Sequence, residues 1–159
     1  MQKLALLFMV LVPASLSAVA QKVEVFGGYQ FTHLQPAYNA SGWNASLTGN
    51  FKHLLGITAD FSGAYKSRSD FHSYPVGPVL TARLPVVQPF VHVLFGGATL
   101  SGGGVSTTGF AMLAGGGLDV GLRRGLGIRI FQADWISTRF NDSTNNSNGR
   151  VSVGIVLKF

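Results

Sequence analysis

Residues 151–159, VSVGIVLKF, place an apolar side chain at every odd-numbered position. The odd positions are Val151, Val153, Ile155, Leu157 and Phe159. Because successive side chains of a strand point to opposite faces, this alternation predicts a β-strand with one apolar face and one more polar face. The pattern leaves open whether the apolar face meets a protein core or lipid.

The charge content of the chain favours lipid. Charged residues make up 11% of the 159 residues, against about 25% in an ordinary soluble domain. Hydrophobic residues make up 47%, and there are 21 glycines. So few charged side chains would cover a soluble surface poorly. With 12 basic and 6 acidic residues, an anionic lipid surface is a better candidate partner than nucleic acid, which we do not expect this chain to bind.

Alternation of period two recurs along the chain and divides it into eight strand-like segments. Most of them have 10–15 residues, longer than the 5–6 residues usual in soluble proteins and long enough to cross a bilayer as tilted strands. The segments are 22–33, 42–51, 54–66, 73–84, 88–100, 109–123, 126–140 and 149–159.

The connections between these segments alternate between longer polar stretches and short turns. The long ones are predicted at 34–41, 67–72, 101–108 and 141–148. Long loops on one side and tight turns on the other are typical of transmembrane barrels. The fold class predicted is therefore all-β, an eight-stranded antiparallel up-and-down transmembrane β-barrel.

The two faces of the segments differ in composition. One face carries small and amide side chains with a few charges, which suit the narrow interior of an eight-stranded barrel. Charges in such a lumen must pair, because an unpaired one costs several kcal/mol. We expect a polar network that closes the lumen, with an ion or solute path as the alternative. Its predicted members are Glu24, Asp60, Arg83, Asp119, Arg129 and Lys158.

The other face is apolar and is predicted to point into lipid. Aromatic residues near its two edges match the interfacial girdles of outer-membrane barrels. The predicted lipid-interface aromatics are Trp43, Phe51, Tyr65, Tyr74 and Trp135. The alternative is a soluble lipocalin-like barrel with the apolar face as its core.

Two segments depart from simple alternation. The fifth has apolar residues on both faces, and His92 within it is expected to be a packed strand residue. In the seventh, Arg129 and Asp134 are five positions apart and cannot both face inward unless a β-bulge adds a residue between them. We predict a bulge there.

The N-terminal 20 residues have the layout of a secretory signal peptide. Lys3 precedes an apolar run at 4–12, and Ala18-Val19-Ala20 provides a small-residue cleavage site. The expected domains are a signal peptide at 1–20 and a barrel at 21–159. The chain has no cysteine, which excludes disulfides and thiolate metal sites.

Together these features resemble the small outer-membrane β-barrel family, the OmpA-like or OmpX-like transmembrane domain. The segment GLGIRIFQADWISTRF (125–140) is also similar to an Arg…Gln-x-Asp-aromatic strand of OmpA-like barrels. The resemblance implies a porin-like envelope protein in the outer membrane of a Gram-negative bacterium. It implies a monomer whose partners are outer-membrane lipid and lipopolysaccharide.

The same resemblance implies a role for the last strand. In this family a terminal aromatic on an alternating strand is recognised by the barrel-assembly machinery. The matching residues here are Val151, Val153, Ile155, Leu157 and Phe159. The function implied is non-enzymatic: a structural role in the membrane, or adhesion through the surface loops.

Two other functions stay open on the sequence. Some related barrels are lipid A acyltransferases or deacylases, and Asp70, His72 and Ser73 lie together in the second predicted loop, with His33 near the first. A working triad needs the histidine within hydrogen-bond reach of both partners, which sequence proximity does not establish. A small pore is the other alternative. We assign no catalytic residue.

The remaining polar residues indicate no cofactor or metal. The four histidines lie in distant segments without metal-ligand spacing. Basic residues are expected at the two rims of the barrel. Lys66, Arg68, Arg139 and Arg150 are predicted at the outer rim, facing lipopolysaccharide phosphates, and Lys52, Arg123 and Arg124 at the opposite rim.

Overall fold

The computed structural model describes residues 22–34, 38–52 and 54–159, which form a closed antiparallel barrel of eight strands in sequence order. The last strand pairs with the first, which closes the sheet. The predicted signal peptide lies outside the described residues. The strands are β1 (Lys22–Leu34), β2 (Tyr38–Asn50), β3 (Leu55–Lys66), β4 (Ser69–Thr81), β5 (Val87–Gly102), β6 (Val105–Arg123), β7 (Leu126–Phe140) and β8 (Ser143–Lys158). Within the described ranges there is no helix of the length and apolarity needed to span a bilayer.

The two ends of the barrel are distinguished by the start of β1 and the end of β8, which lie at the same end, here called the terminal end. At the terminal end, the backbone N–H of Val23 donates to Phe159 O over 3.1 Å, and the N–H of Phe159 donates to Val23 O over 2.8 Å. The connections β2–β3, β4–β5 and β6–β7 also lie at the terminal end. The opposite, distal end contains the connections β1–β2, β3–β4, β5–β6 and β7–β8.

The prediction of long loops at the distal end is wrong, because the strands continue through most of the residues assigned to those loops. β3 and β4 are joined by residues 67–68 alone, β5 and β6 by Gly103-Gly104, and β7 and β8 by Asn141-Asp142. The φ angles of the last two pairs are +59°, +82°, +40° and +61°. Positive φ angles are expected in two-residue hairpin turns, because they match the right-handed twist of the flanking strands. Residues 35–37, within the first predicted loop, lie outside the described residues.

Hydroxyl groups explain why these polar stretches form strands. The Oγ atoms of Ser101 and Ser106 are 2.7 Å apart, and those of Thr99 and Thr108 are 3.1 Å apart. Such cross-strand pairs stabilise a hairpin, whereas polarity alone does not indicate a loop. The distal hairpins therefore extend the sheet, and the predicted alternation of long and short connections does not occur among the described connections.

The apolar face of the sheet points outward. In β8 the side chains of Val151, Val153 and Ile155 are 50%, 46% and 54% exposed, while Ser152 and Val156 are buried in the lumen. This orientation is opposite to that of a soluble lipocalin-like barrel, in which the apolar face would form the core. The transmembrane arrangement predicted from the composition is the one the fold has.

The bulge predicted in β7 is confirmed. Ile130 and Phe131 are consecutive and both point outward, and the pairing with β8 shifts between Arg129 and Gln132. The pairing with β6 shifts between Leu118 and Asp119. The extra residue returns the alternation to phase, so Arg129 and Asp134 both face the lumen.

The interior has two parts. Toward the terminal end it is polar, as expected, but toward the distal end apolar side chains fill it. This apolar plug consists of Leu34, Ala40, Ala64, Phe71, Leu94, Ala98, Ala111, Leu113 and Ile136, with Phe140 packed against it. An interior lined throughout by small polar residues was therefore a wrong expectation. β5 is apolar on both faces because Leu94 and Ala98 point inward and belong to this plug, while Val91 and Val93 point outward.

Candidate functional site

Arg150 is the centre of the polar half of the lumen. Its side chain is fully buried and binds two carboxylates on different strands. Nη1 and Nη2 donate to the two oxygens of Asp60 over 2.8 and 3.1 Å, and Nε donates to Asp134 Oδ2 over 2.8 Å. Such charge-assisted, two-point contacts are strong and fix orientation. Arg150 therefore ties β3 to β7 and β8 across the lumen.

Arg129 forms a second ion pair nearer the terminal end. Nε and Nη2 donate to the two oxygens of Asp119 over 2.7 and 3.1 Å. The guanidinium lies between the rings of Phe26 and Phe90, at 4.3 and 4.1 Å from their centroids. Cation–π contact of this kind compensates part of the cost of burying the charge.

Gln132 joins the two ion pairs into one network. Its Oε1 accepts from Arg129 Nη1 over 2.7 Å, and its Nε2 donates to Asp134 Oδ2 over 2.7 Å. His92 Nε2 lies 2.8 Å from Asp134 Oδ1, so His92 is a packed strand residue, as expected, and also a network member. The lumen network, as we call it, comprises Asn44, Asp60, His92, Asp119, Arg129, Gln132, Asp134 and Arg150.

Three further predicted lumen residues lie at the terminal mouth of the barrel. Glu24 accepts from Asn50 Nδ2 over 3.1 Å and faces Arg83 Nη2 at 3.7 Å. Lys158 donates to Gln88. All six predicted network residues are thus placed on the lumen side, but in two groups, and only Asp60, Asp119 and Arg129 belong to the central network.

The network and the plug leave almost no free space inside the barrel. The cavity bounded by Glu24, Asp60, His92, Asp119 and Arg129 has a volume of about 10 Å³, room for about one water molecule. Above it the apolar plug fills the section of the barrel.

Sequence reasoning missed the two residues that matter most in the network. Arg150 was predicted at the outer rim, facing lipopolysaccharide phosphate, and this is wrong because its side chain is buried against Asp60 and Asp134. Asp134 was left out of the predicted network. The signal was present: alternation from Val151, which points outward, puts Arg150 on the lumen face. Arg68 and Arg139 are exposed at the distal end.

The predicted interface aromatics all point outward. Trp43, Tyr65, Tyr74 and Trp135 are about half exposed toward the distal end, and Phe51 is exposed at the terminal end. Trp43 Nε1 donates to Tyr65 Oη over 3.0 Å, and Trp135 Nε1 donates to the backbone oxygen of Asn146. Rings with an apolar body and a satisfied polar tip suit a membrane–water boundary.

The residues that suggested an acyl-transfer site are not brought together. His72 points outward, where its ring packs edge-on to Tyr65 with centroids 5.5 Å apart. Ser73 is buried on the lumen side, with its Oγ 2.8 Å from Ser62 Oγ. Since adjacent strand residues face opposite sides, His72 cannot act on Ser73. His33 contacts Asn39, and no cluster of three His, Asp or Glu side chains that could hold a metal occurs in the described ranges.

Comparison with known proteins shows the fold. No protein-family model and no characterised protein sequence match the chain. Among solved structures, Ail, the attachment invasion locus protein of Yersinia pestis, in complex with the heparin analogue sucrose octasulfate, aligns with a TM-score of 0.59 and 18% identity. The alignment covers 87% of this chain and 98% of Ail.

Two further solved structures align over similar lengths. Neisserial surface protein A aligns with a TM-score of 0.59 and 16% identity, over 87% of this chain and 96% of the other. The N-terminal β-barrel domain of Pseudomonas aeruginosa OprF aligns with a TM-score of 0.60 and 11% identity, over 88% and 98%. At these identities the likeness establishes the fold, that of the small eight-stranded outer-membrane barrels.

Proposed function

We propose that this protein is a closed, non-conducting β-barrel of the bacterial outer membrane whose role is carried by its outer surface and its distal hairpins. The observation that carries the proposal is the filled lumen, in which ion pairs occupy one half and apolar side chains the other. An outward apolar face supports insertion into lipid. The function is then structural or adhesive and non-enzymatic.

Bilayer conductance tests the closed lumen. The protein, extracted from membranes in detergent, is added to a planar lipid bilayer, and we expect no current steps above those of the detergent control. A porin with a water-filled channel serves as the positive control. Discrete steps that scale with salt concentration would favour the pore.

Adhesion is favoured over a purely structural role by the length of the distal hairpins. β5 and β6 extend to Gly102 and Val105, beyond the level of the outward ring of Tyr74. The hairpin tips carry exposed hydroxyl groups, and Lys66, Arg68 and Arg139 are exposed at the same end. Since the aligned Ail structure holds a heparin analogue, we propose a sulfated polysaccharide as the first partner to test.

Shortening one hairpin separates adhesion from folding. Replacement of residues 101–106 by Asn-Gly removes the tip and leaves the apolar plug intact, so the barrel should still assemble. We expect binding of cells to a heparin-coated surface to fall, while a matched variant that replaces 103–104 by Asn-Gly keeps it. Equal binding by the parent and both variants would contradict adhesion through this hairpin and would favour the purely structural role.

A further inference from the structure

An open cavity lies at the terminal end, between the start of β1, the β4–β5 connection, the β6–β7 hairpin and the end of β8. Its volume is about 530 Å³, within the range that holds a small-molecule ligand. Four cationic side chains line it, Arg83, Arg123, Arg124 and Lys158, against one acidic side chain, that of Glu24. The sequence predicted basic residues at this rim but gave no sign of a pocket.

The four cationic side chains differ in whether a protein side chain already pairs with them. Arg83 faces Glu24 and Lys158 donates to Gln88. Arg123 and Arg124 are exposed at the tip of the β6–β7 hairpin, and no carboxylate of the described residues pairs with either. Gly125, with φ of +78°, closes the tight turn that holds both arginines over the cavity. The site therefore keeps positive charge for an external anion.

The apolar part of the wall indicates that this anion belongs to a lipid. Leu122, Leu126 and Phe159 line the same cavity and are 55%, 36% and 72% exposed. Ile128 and Leu157 continue this apolar surface along the outer face of the barrel. A soluble anion would contact the arginines only, whereas a phospholipid could place its phosphate in the cavity and its acyl chains along the outer face.

We propose that the terminal-end cavity is a binding site for the phosphate group of an anionic phospholipid, with Arg123 and Arg124 as its principal ligands. Arginine suits this role because its planar fork donates to two phosphate oxygens at once. The inference rests on the membrane-spanning role proposed above. It assigns to the terminal end a ligand different from the polysaccharide proposed at the distal end.

Native mass spectrometry of the detergent-extracted protein tests the site. The probes are phosphatidylglycerol and phosphatidylcholine with identical acyl chains, added in equal amounts, and we expect one phosphatidylglycerol to be retained preferentially. Arg124→Gln should weaken that retention about fivefold, and the Arg123→Gln/Arg124→Gln double variant about twenty-fold or more, from the usual effect of one basic residue at an anionic lipid surface. Lys52→Gln is the matched control, because Lys52 lies at the same end, is exposed and does not line the cavity.

Each other outcome overturns the inference in a distinguishable way. Equal retention of both lipids would show that no anion site exists, and equal losses in Arg124→Gln and Lys52→Gln would show a general effect of surface charge. Displacement of the lipid by millimolar inorganic phosphate would show a soluble-phosphate site instead. Failure of the barrel to enter lipid nanodiscs at all would contradict the proposed membrane role itself, separately from the lipid site.

Discussion

Arg150 is the single residue whose loss should damage the barrel most. Arg150→Met keeps a long side chain in the lumen but leaves Asp60 and Asp134 buried without their shared cation. Removing one partner of a buried pair typically costs about 3–5 kcal/mol. We expect the free energy of unfolding to fall by about that amount, measured from urea unfolding in detergent by tryptophan fluorescence.

A surface arginine provides the control for this substitution. Arg139→Met removes the same charge from β7, but Arg139 is exposed at the distal end, and such changes usually stay within about 0.5 kcal/mol. If the two variants unfolded at the same urea concentration, the buried network would contribute no stability beyond ordinary packing.

Single residues also show where sequence reasoning succeeds and fails. Alternation alone assigns Arg150 to the lumen, yet the charge pattern of an outer rim assigned it to lipid phosphate. The identity of its partners could not be read from the sequence, because Asp60 lies 90 positions away in β3. Pairing across a lumen depends on how far each strand is staggered, and alternation fixes only the face.

At the scale of the strand, the bulge in β7 determines which side chains enter the lumen. Deletion of Ile130 removes the extra residue and leaves Arg129 and Asp134 four positions apart, so both still face the lumen by simple alternation and the variant should fold. Deletion of Ala133, outside the bulge, instead makes Gln132 and Asp134 adjacent, so one part of β7 must turn its lumen face outward. Buried charges of Arg129 or Asp134 would then meet lipid, at a cost of several kcal/mol. We expect only the Ala133 deletion to lose the compact, faster-migrating band that a folded barrel gives in SDS gels before boiling.

Exchanging the two bulge residues tests the count of residues rather than their identity. The Ile130→Phe/Phe131→Ile double variant keeps two outward apolar side chains, so it should fold and migrate as the parent does. An Ala133 deletion variant that still folded would show that the register can adjust elsewhere, for example at the shift between Gly121 and Arg123.

The strands could be predicted from the sequence better than their ends. Apolar alternation located all eight strands because lipid imposes it on the outward face. At the distal end the outward face of the strands no longer needs to be apolar, and hydroxyl and amide pairs such as Ser101–Ser106 stabilise the strands instead. Polar residues in a hairpin and in a loop look alike in sequence, so the predicted loops were too long. The apolar plug was missed for a related reason, since inward leucines such as Leu94 resemble lipid-facing ones.

The two ends of the whole molecule differ, and this difference should determine its orientation in the membrane. The terminal end carries the start of β1, the end of β8 and the basic cavity, and the distal end carries the extended hairpins. We expect the distal end outside the cell. Because the chain has no cysteine, a single introduced cysteine is the only thiol that a labelling reagent can modify. Gly104→Cys at the distal tip and Lys52→Cys at the terminal end form a matched pair of exposed positions.

A membrane-impermeant maleimide should label Gly104→Cys in intact cells and Lys52→Cys only after the outer membrane is opened. Gly104 has a φ of +82°, which disfavours a side chain by about 1–2 kcal/mol, so Ser106→Cys, in extended strand, serves as a second distal reporter. Labelling of Lys52→Cys alone in intact cells would reverse the orientation and place the basic cavity against external lipid. Equal labelling of both sites in a soluble fraction would contradict the membrane location, and with it the proposal that the outward apolar face contacts lipid.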